Sequence, residues 1–80
     1  MDYTVEVRVG LKHGVLDAEG ETIAKSLRLL GFDVEKVETV KVYRVKVAAA
    51  GEMKAVNLME DACERLLANP VIQEYSVKVV

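Results

Sequence analysis

The residues of this chain whose types could do chemistry are few: His13, Cys63, the glycines around residues 10–20, and scattered charge. His13 is the only histidine and stands beside Gly14 in the run Leu11-Lys12-His13-Gly14-Val15-Leu16-Asp17-Ala18-Glu19-Gly20. As a general base it needs a nucleophile or an orienting carboxylate within hydrogen-bond reach. Asp17 is the nearest carboxylate in sequence and nothing else joins the pair, so an exposed loop histidine is the better reading. Gly10, Gly14 and Gly20 match neither Gly-x-Gly-x-x-Gly nor Gly-x-x-x-x-Gly-Lys-Ser/Thr, and read as turn glycines. Gly20 is an oddity among them. In a helix's first turns glycine costs up to ~1 kcal/mol relative to alanine, so something must pack close to that backbone. Gly20→Leu should then damage a partner contact more than folding of the monomer.

Cys63 falls on the apolar stripe of a helix, where a free thiol behaves as a small hydrophobe. A lone cysteine also lacks the second ligand of a Cys-x-x-Cys metal site. Lys36, Lys41, Arg44 and Lys46 make a basic stretch, but stacking of RNA bases needs several aromatics and only Tyr43 is there. A solvated strand face or a protein interface fits that stretch better. Glu60, Asp61 and Glu64 lie among Lys54 and Arg65 as solubilising charge with weak helical pairing. By elimination the chain carries no catalytic residue, no cofactor site and no metal site of its own.

The elements that position these residues follow from periodicity. Tyr3, Val5, Val7, Val9 and Leu11 alternate with Thr4, Glu6, Arg8 and Gly10, the pattern of a half-buried strand. Asp17 suits the N-cap of a helix beginning at Ala18, with Glu19 and Glu21 favoured in its first turn. Ile23, Leu27 and Leu30 recur at helical spacing as the expected buried stripe, and Gly31 ends the helix with Phe32 able to fold back on it. From Val34 to Val47 the residues read as strand, but the alternation changes phase. One straight strand there would reach roughly 46 Å, so two strands with a break near Val40–Tyr43, or a bent ribbon, are expected. A second helix runs from Glu52 to Ala68 with Val56, Met59, Cys63, Leu66 and Leu67 on one face. Asn69-Pro70 stops it. Tyr75, Val77 and Val79 alternate in a last strand. The expected fold is α+β, ordered β-α-β-β-α-β, with two helices on one face of a four-stranded antiparallel sheet in ferredoxin-like topology.

Eighty residues predict a single domain, 1–80, whose core is marginal because a chain this short buries only ~60% of its unfolded surface. With one cysteine, no internal disulfide can compensate, and self-association remains as the remedy. Hydrophobic residues make up 51% of the chain with only four aromatics, so the core is aliphatic. Eleven basic against thirteen acidic residues, net −2, argue against nucleic acid as a partner. No apolar run approaches the ~20 residues that span a bilayer, and Met1–Glu6 enters a strand directly, so a soluble cytoplasmic protein is expected.

Three stretches together resemble one family. Leu11-Lys12-x-Gly14-Val15-Leu16-Asp17-x-x-Gly20, then Leu27-x-x-Leu30-Gly31-Phe32, then Cys63-Glu64-x-Leu66-Leu67-Ala68-Asn69-Pro70-Val71-Ile72-x-x-Tyr75 resemble the PurS family, the small subunit of phosphoribosylformylglycinamidine synthase in de novo purine biosynthesis. Ala18 stands where proline is common in that family, and Val40 where many members have glycine before Lys41. The resemblance implies a non-catalytic subunit that, as a homodimer or higher homo-oligomer, bridges a PurL-type synthase subunit and a PurQ-type glutaminase subunit and supports ammonia transfer. ATP and Mg are then used by the synthase subunit, not by this chain. It also implies subunit contacts at Lys12, Gly14, Asp17, Gly20, Lys41, Asn69 and Tyr75. Self-association through the sheet is expected over association through the helices, because an exposed edge invites pairing. The alternative is a small-molecule-binding regulatory module of ferredoxin-like fold. A small acyl-phosphate hydrolase would need an arginine in a glycine-rich anion loop, which residues 10–20 do not supply.

Overall fold

Alternation in the first segment carries directly into β1 (Asp2–Leu11), whose Val5, Val7 and Val9 are buried. The computed structural model describes residues 1–80, and β1 is the central strand of its one sheet. Two antiparallel strands flank it, β2 (Val40–Ala48) and β3 (Gln73–Val79), in the order β2-β1-β3. The register sets Tyr43, Val45 and Val47 beside Val7, Val5 and Tyr3 on one face, with Tyr75, Val77 and Val79 beside Val9, Val7 and Val5 from the other side. Helix α2 (Glu52–Ala62) packs on that face over β1 and β3. Val5, Val7, Val9, Ala55, Met59, Cys63 and Ala68 form the core. Each of the three valines contributes roughly 1.5–3 kcal/mol by its burial. The opposite face of the sheet carries Thr4, Glu6, Arg8, Arg44, Ser76 and Lys78, and stays wet.

The sheet has three strands where the sequence predicts four. Residues 34–39 form no strand, and β2 runs unbroken through the expected break at Val40–Tyr43. The phase change that implied a break has another cause. Val40 and Val42 are exposed valines on the wet face, opposite Gly10 and Arg8, while Tyr43, Val45 and Val47 keep the inner face. Before β2 the backbone is held elsewhere: Thr39 donates to the Asp17 carboxylate, and the carbonyls of Val34 and Glu35 accept from Arg28.

The two helices also fail to share one face. Helix α1 (Ala18–Leu29) lies along residues 34–37, and the helix packing on the sheet is that of α2. Arg28 fixes this arrangement, its guanidinium donating to the carbonyls of Val34 and Glu35 at 2.9 and 2.8 Å. The buried residues of α1 are the small ones, Gly20 and Ala24. Ile23 and Leu30 of the predicted stripe are exposed and Leu27 is half-buried, because a close backbone approach selects small side chains on the contact face. The helix ends as expected: Gly31 has φ +95°, Phe32 N–H donates to Leu27 O, and Gly31 N–H donates to Arg28 O. That double closure satisfies carbonyls the last turn leaves free.

The second helix is broken in type but not in course. After Ala62 it continues as a π-helical turn, Cys63–Leu67, closed by Ala68 N–H to Cys63 O at 3.0 Å. The wider turn rotates the stripe, so Ala68 is buried and Leu66, predicted to be inside, is exposed.

Candidate functional site

The loop from Leu11 to Gly20 is organised by one carboxylate. Asp17 precedes α1 and its Oδ1 accepts the Gly20 N–H at 2.9 Å, satisfying a donor of the helix's first turn. The same side chain reaches 22 residues along the chain, accepting the Thr39 N–H on Oδ2 at 2.6 Å and the Thr39 hydroxyl on Oδ1 at 3.0 Å. Asp17 therefore ties the start of α1 to the entry of β2. The Gly20 and Thr39 backbone N–H groups, then the Thr39 hydroxyl and nearby Lys36, hold its carboxyl below the usual carboxylate range. A depressed folded pKa gives stability that is present above the unfolded value and lost as pH falls through the folded one. The clamp is thus intact at neutral pH and opens only in acid.

Gly20 sits inside this clamp. A Cβ there would collide with the backbone carbonyl of Val37 and come within 2.9 Å of Asp17 Oδ2. The close neighbour is this chain's own 34–39 segment and not a partner, so Gly20→Leu is expected to damage folding of the monomer itself. Thr39, missed by sequence reasoning, is the partner that makes the arrangement, and no local signal marks a threonine 22 residues from its acceptor.

The second candidate stretch, Asn69 to Tyr75, lies against the first. Asn69 Oδ1 accepts the Val71 N–H at 3.0 Å, and Asn69 O accepts the Gln73 N–H at 2.7 Å. The Lys12 N–H donates to Ile72 O at 2.9 Å, which joins this turn to the glycine loop at the same end of the sheet. Lys12, Gly14, Asp17 and Tyr75 line one cleft of about 520 Å³, together with Arg8, His13, Lys36 and others. Gly20 lies below that cleft in α1, and Asn69 lies in the adjoining turn. Lys41 stands apart on β2, opposite Val9, which Tyr75 flanks from β3.

His13 is exposed in the loop, and Cys63 is buried in the core beneath α2. Burial, followed by the charges of Glu64 and Glu60, pushes the Cys63 thiol up, the opposite of what a reactive thiolate needs. The basic stretch divides: Lys36 pairs with Glu38 at 3.0 Å and Lys46 with Asp2 at 3.9 Å, both in solvent, where such pairs contribute little.

Tyr75 donates its hydroxyl to Glu64 Oε1 at 2.8 Å, joining β3 to the π turn. That hydrogen bond to a carboxylate, with lesser contributions from desolvation and the nearby negative charges, pushes the Tyr75 hydroxyl up to about 12. A raised folded pKa gives stability present below the unfolded value of about 10 and lost as pH rises through about 12. Ultraviolet titration of the tyrosinate band is expected to contain a component near 12, and Glu64→Gln should move it toward 10. A band with no such late component would rule out the bond.

No group of three His, Cys, Asp or Glu side chains converges in a metal-ligating arrangement, and no helix is long and apolar enough to cross a membrane. The fold and site define a small α+β protein in which two loops are locked side by side at one end of a three-stranded sheet. Comparison with known proteins then places the chain: it belongs to the PurS family. The family model, described as phosphoribosylformylglycinamidine (FGAM) synthase, matches residues 4–80. The PurS subunit of Archaeoglobus fulgidus is 52% identical over 73 residues, covering 90% of this chain and 91% of the relative. The crystal structure of Methanocaldococcus jannaschii PurS, 42% identical, superposes with a TM-score of 0.88 over 98% of this chain and 95% of that one. A chain in the structure of PurLQS from Thermotoga maritima superposes with a TM-score of 0.92 at 34% identity, covering 100% of this chain and 99% of that one.

Proposed function

We propose that this chain is the PurS subunit of phosphoribosylformylglycinamidine synthase in purine biosynthesis, acting in the cytoplasm. It joins a PurL-type synthase subunit, which uses ATP and Mg, to a PurQ-type glutaminase subunit, and supports passage of ammonia between their sites. It supplies no catalytic residue. The observation that carries this reading is the family match over residues 4–80, supported by the likeness to a chain of the PurLQS structure. The chain works as a homodimer or higher homo-oligomer.

The contacts with the larger subunits are assigned to the end of the sheet where the two locked loops meet. Lys12, Gly14 and Asn69 present that surface, Tyr75 and Lys41 flank it, and Asp17 with Gly20 hold its shape from below. Ordering these loops in the free protein reduces the conformational entropy lost on docking.

Reconstitution tests the role directly. A PurL-type and a PurQ-type subunit from the same source, mixed without this chain, should retain synthesis driven by added ammonia. Synthesis driven by glutamine should appear only when the chain is added. Charge reversal at Lys12 should weaken assembly while leaving the fold of the free chain intact. Full glutamine-dependent activity without the chain would exclude the role.

A further inference from the structure

The turn between the second helix and β3 is apolar where a turn is ordinarily polar. Pro70, Val71 and Ile72 follow one another there, all exposed, with Val71 at 78% and Ile72 at 40%. Gly, Asn, Asp and Ser dominate turns, and three exposed apolar residues in a row are unfavourable unless they serve a contact. The turn is also closed on itself. Val71 N–H donates to Asn69 Oδ1 at 3.0 Å, and the Ile72 and Gln73 N–H groups donate to Asn69 O at 3.2 and 2.7 Å. Asn69 N–H donates to Gln73 Oε1 at 2.7 Å, and Pro70 has no N–H to place. Every backbone N–H from Asn69 to Gln73 is therefore bonded inside the chain. Ile72 O accepts the Lys12 N–H at 2.9 Å, which anchors the turn to the glycine loop.

We infer that Val71 and Ile72 form an apolar anchor that enters an apolar socket on a larger subunit of the complex. The inference rests on the subunit role proposed above and deepens it, placing the main source of affinity at this tip. Burial of a turn ordinarily strands backbone donors, and each is costly out of water. Here no N–H is stranded, and removal of the two side chains from water drives docking. A turn already fixed by five hydrogen bonds gives up little conformational entropy on binding. The socket is not on a second copy of this chain. Its clefts of about 520, 370 and 300 Å³ have four hydrophobic lining residues of fifteen, four of ten and three of six. None is the mainly apolar recess that two aliphatic side chains require. Lys12, Gly14 and Asn69 then belong to the polar rim that surrounds an apolar interface centre.

The test titrates a PurL-type and a PurQ-type subunit from the same source, singly and together, onto the immobilised chain. Val71→Ser and Ile72→Thr should each weaken binding about tenfold, through loss of buried apolar surface. Val71→Ile keeps the tip apolar and should bind as the parent does. Met53→Gln removes another exposed apolar side chain, from α2, and should leave binding unchanged. The Tm and sedimentation of each free variant should match the parent, since these side chains are exposed in the free chain. Parent affinity in both Val71→Ser and Ile72→Thr would overturn the inference and leave the subunit role standing. An equal loss in Met53→Gln would also overturn it, as would weakened self-association in place of weakened subunit binding. A parent chain that binds neither subunit would remove the subunit role, and the anchor with it.

Discussion

Gly20→Ala should destabilise the protein, the reverse of what helix propensity gives at the same position. In an ordinary helical site this change adds up to ~1 kcal/mol of stability. Here the new methyl group meets the carbonyl of Val37 and crowds the Asp17 carboxylate, neither of which is the yielding end of a flexible side chain. Relief requires the 34–39 segment to move away, which strains the bonds from Thr39 to Asp17. Overpacking of this kind costs about 1–3 kcal/mol, and each kcal/mol lowers Tm by about 4–8 °C in a domain this size. Thermal unfolding followed by far-ultraviolet circular dichroism reads the sign. Glu19→Ala, an exposed change in the same first turn, should stay within about 0.5 kcal/mol. A neutral or stabilising Gly20→Ala would mean that the clamp between α1 and β2 is not closed in solution.

This clamp shows which parts of the structure the sequence holds in legible form. Local patterns are legible: the alternation of β1, the Asp17 cap, the Gly31 stop and the burial of Cys63 all come from neighbours within a few residues. Gly20 is legible as an anomaly, but the identity of its neighbour is not. A glycine in a helix reports that something is close without naming it, and the partner turns out to be Val37 rather than another protein. The missing fourth strand has the same origin. Residues 34–39 have strand-forming composition, yet in the fold their polar groups are taken by tertiary bonds, Thr39 donating to Asp17 and Val34 and Glu35 accepting from Arg28. Two valines on the wet face of β2 added a false break, since periodicity treats every valine as buried.

The stripe of the second helix was misplaced for a geometric reason. A 3.6-residue period carries Leu66 to the inside, whereas one π turn at Cys63–Leu67 shifts the phase and buries Ala68. The candidate site was legible as two separate stretches. That they adjoin follows only from the antiparallel pairing of β1 with β3, which sets Leu11 opposite Gln73 and brings Lys12 to Ile72.

The Tm of this protein should rise with its concentration, because one copy leaves too much of itself in water. Its accessible surface is 6044 Å², against about 4,800 Å² for a compact monomer of its size. Its radius of gyration is 15.9 Å where about 12 Å is usual. The excess surface, roughly 1,200 Å², exceeds the ~800 Å² that each partner contributes to a standard interface. Its exposed apolar side chains include a cluster where α1 ends: Leu29, Leu30 and Phe32 are 89%, 74% and 58% exposed. Strand β2 adds a free edge, and its Tyr43, Val45 and Val47 are only half-buried because α2 packs over β1 and β3. A second copy that covers these surfaces stabilises the fold by mass action, about 2.7 kcal/mol when its concentration is 100 times the dissociation constant. That corresponds to roughly 10–20 °C between dilute and concentrated samples. Sedimentation at micromolar concentration should give at least twice the chain mass. The pair Leu30→Glu and Phe32→Glu should reduce it to the monomer with a Tm independent of concentration, if the end of α1 forms the contact. If that variant stays associated, the contact runs along the β2 edge, where sheet pairing needs no side chain of α1. A parent protein that sediments as a monomer, with a Tm that does not move, would remove self-association altogether. Its core of seven buried side chains would then have to hold the fold alone.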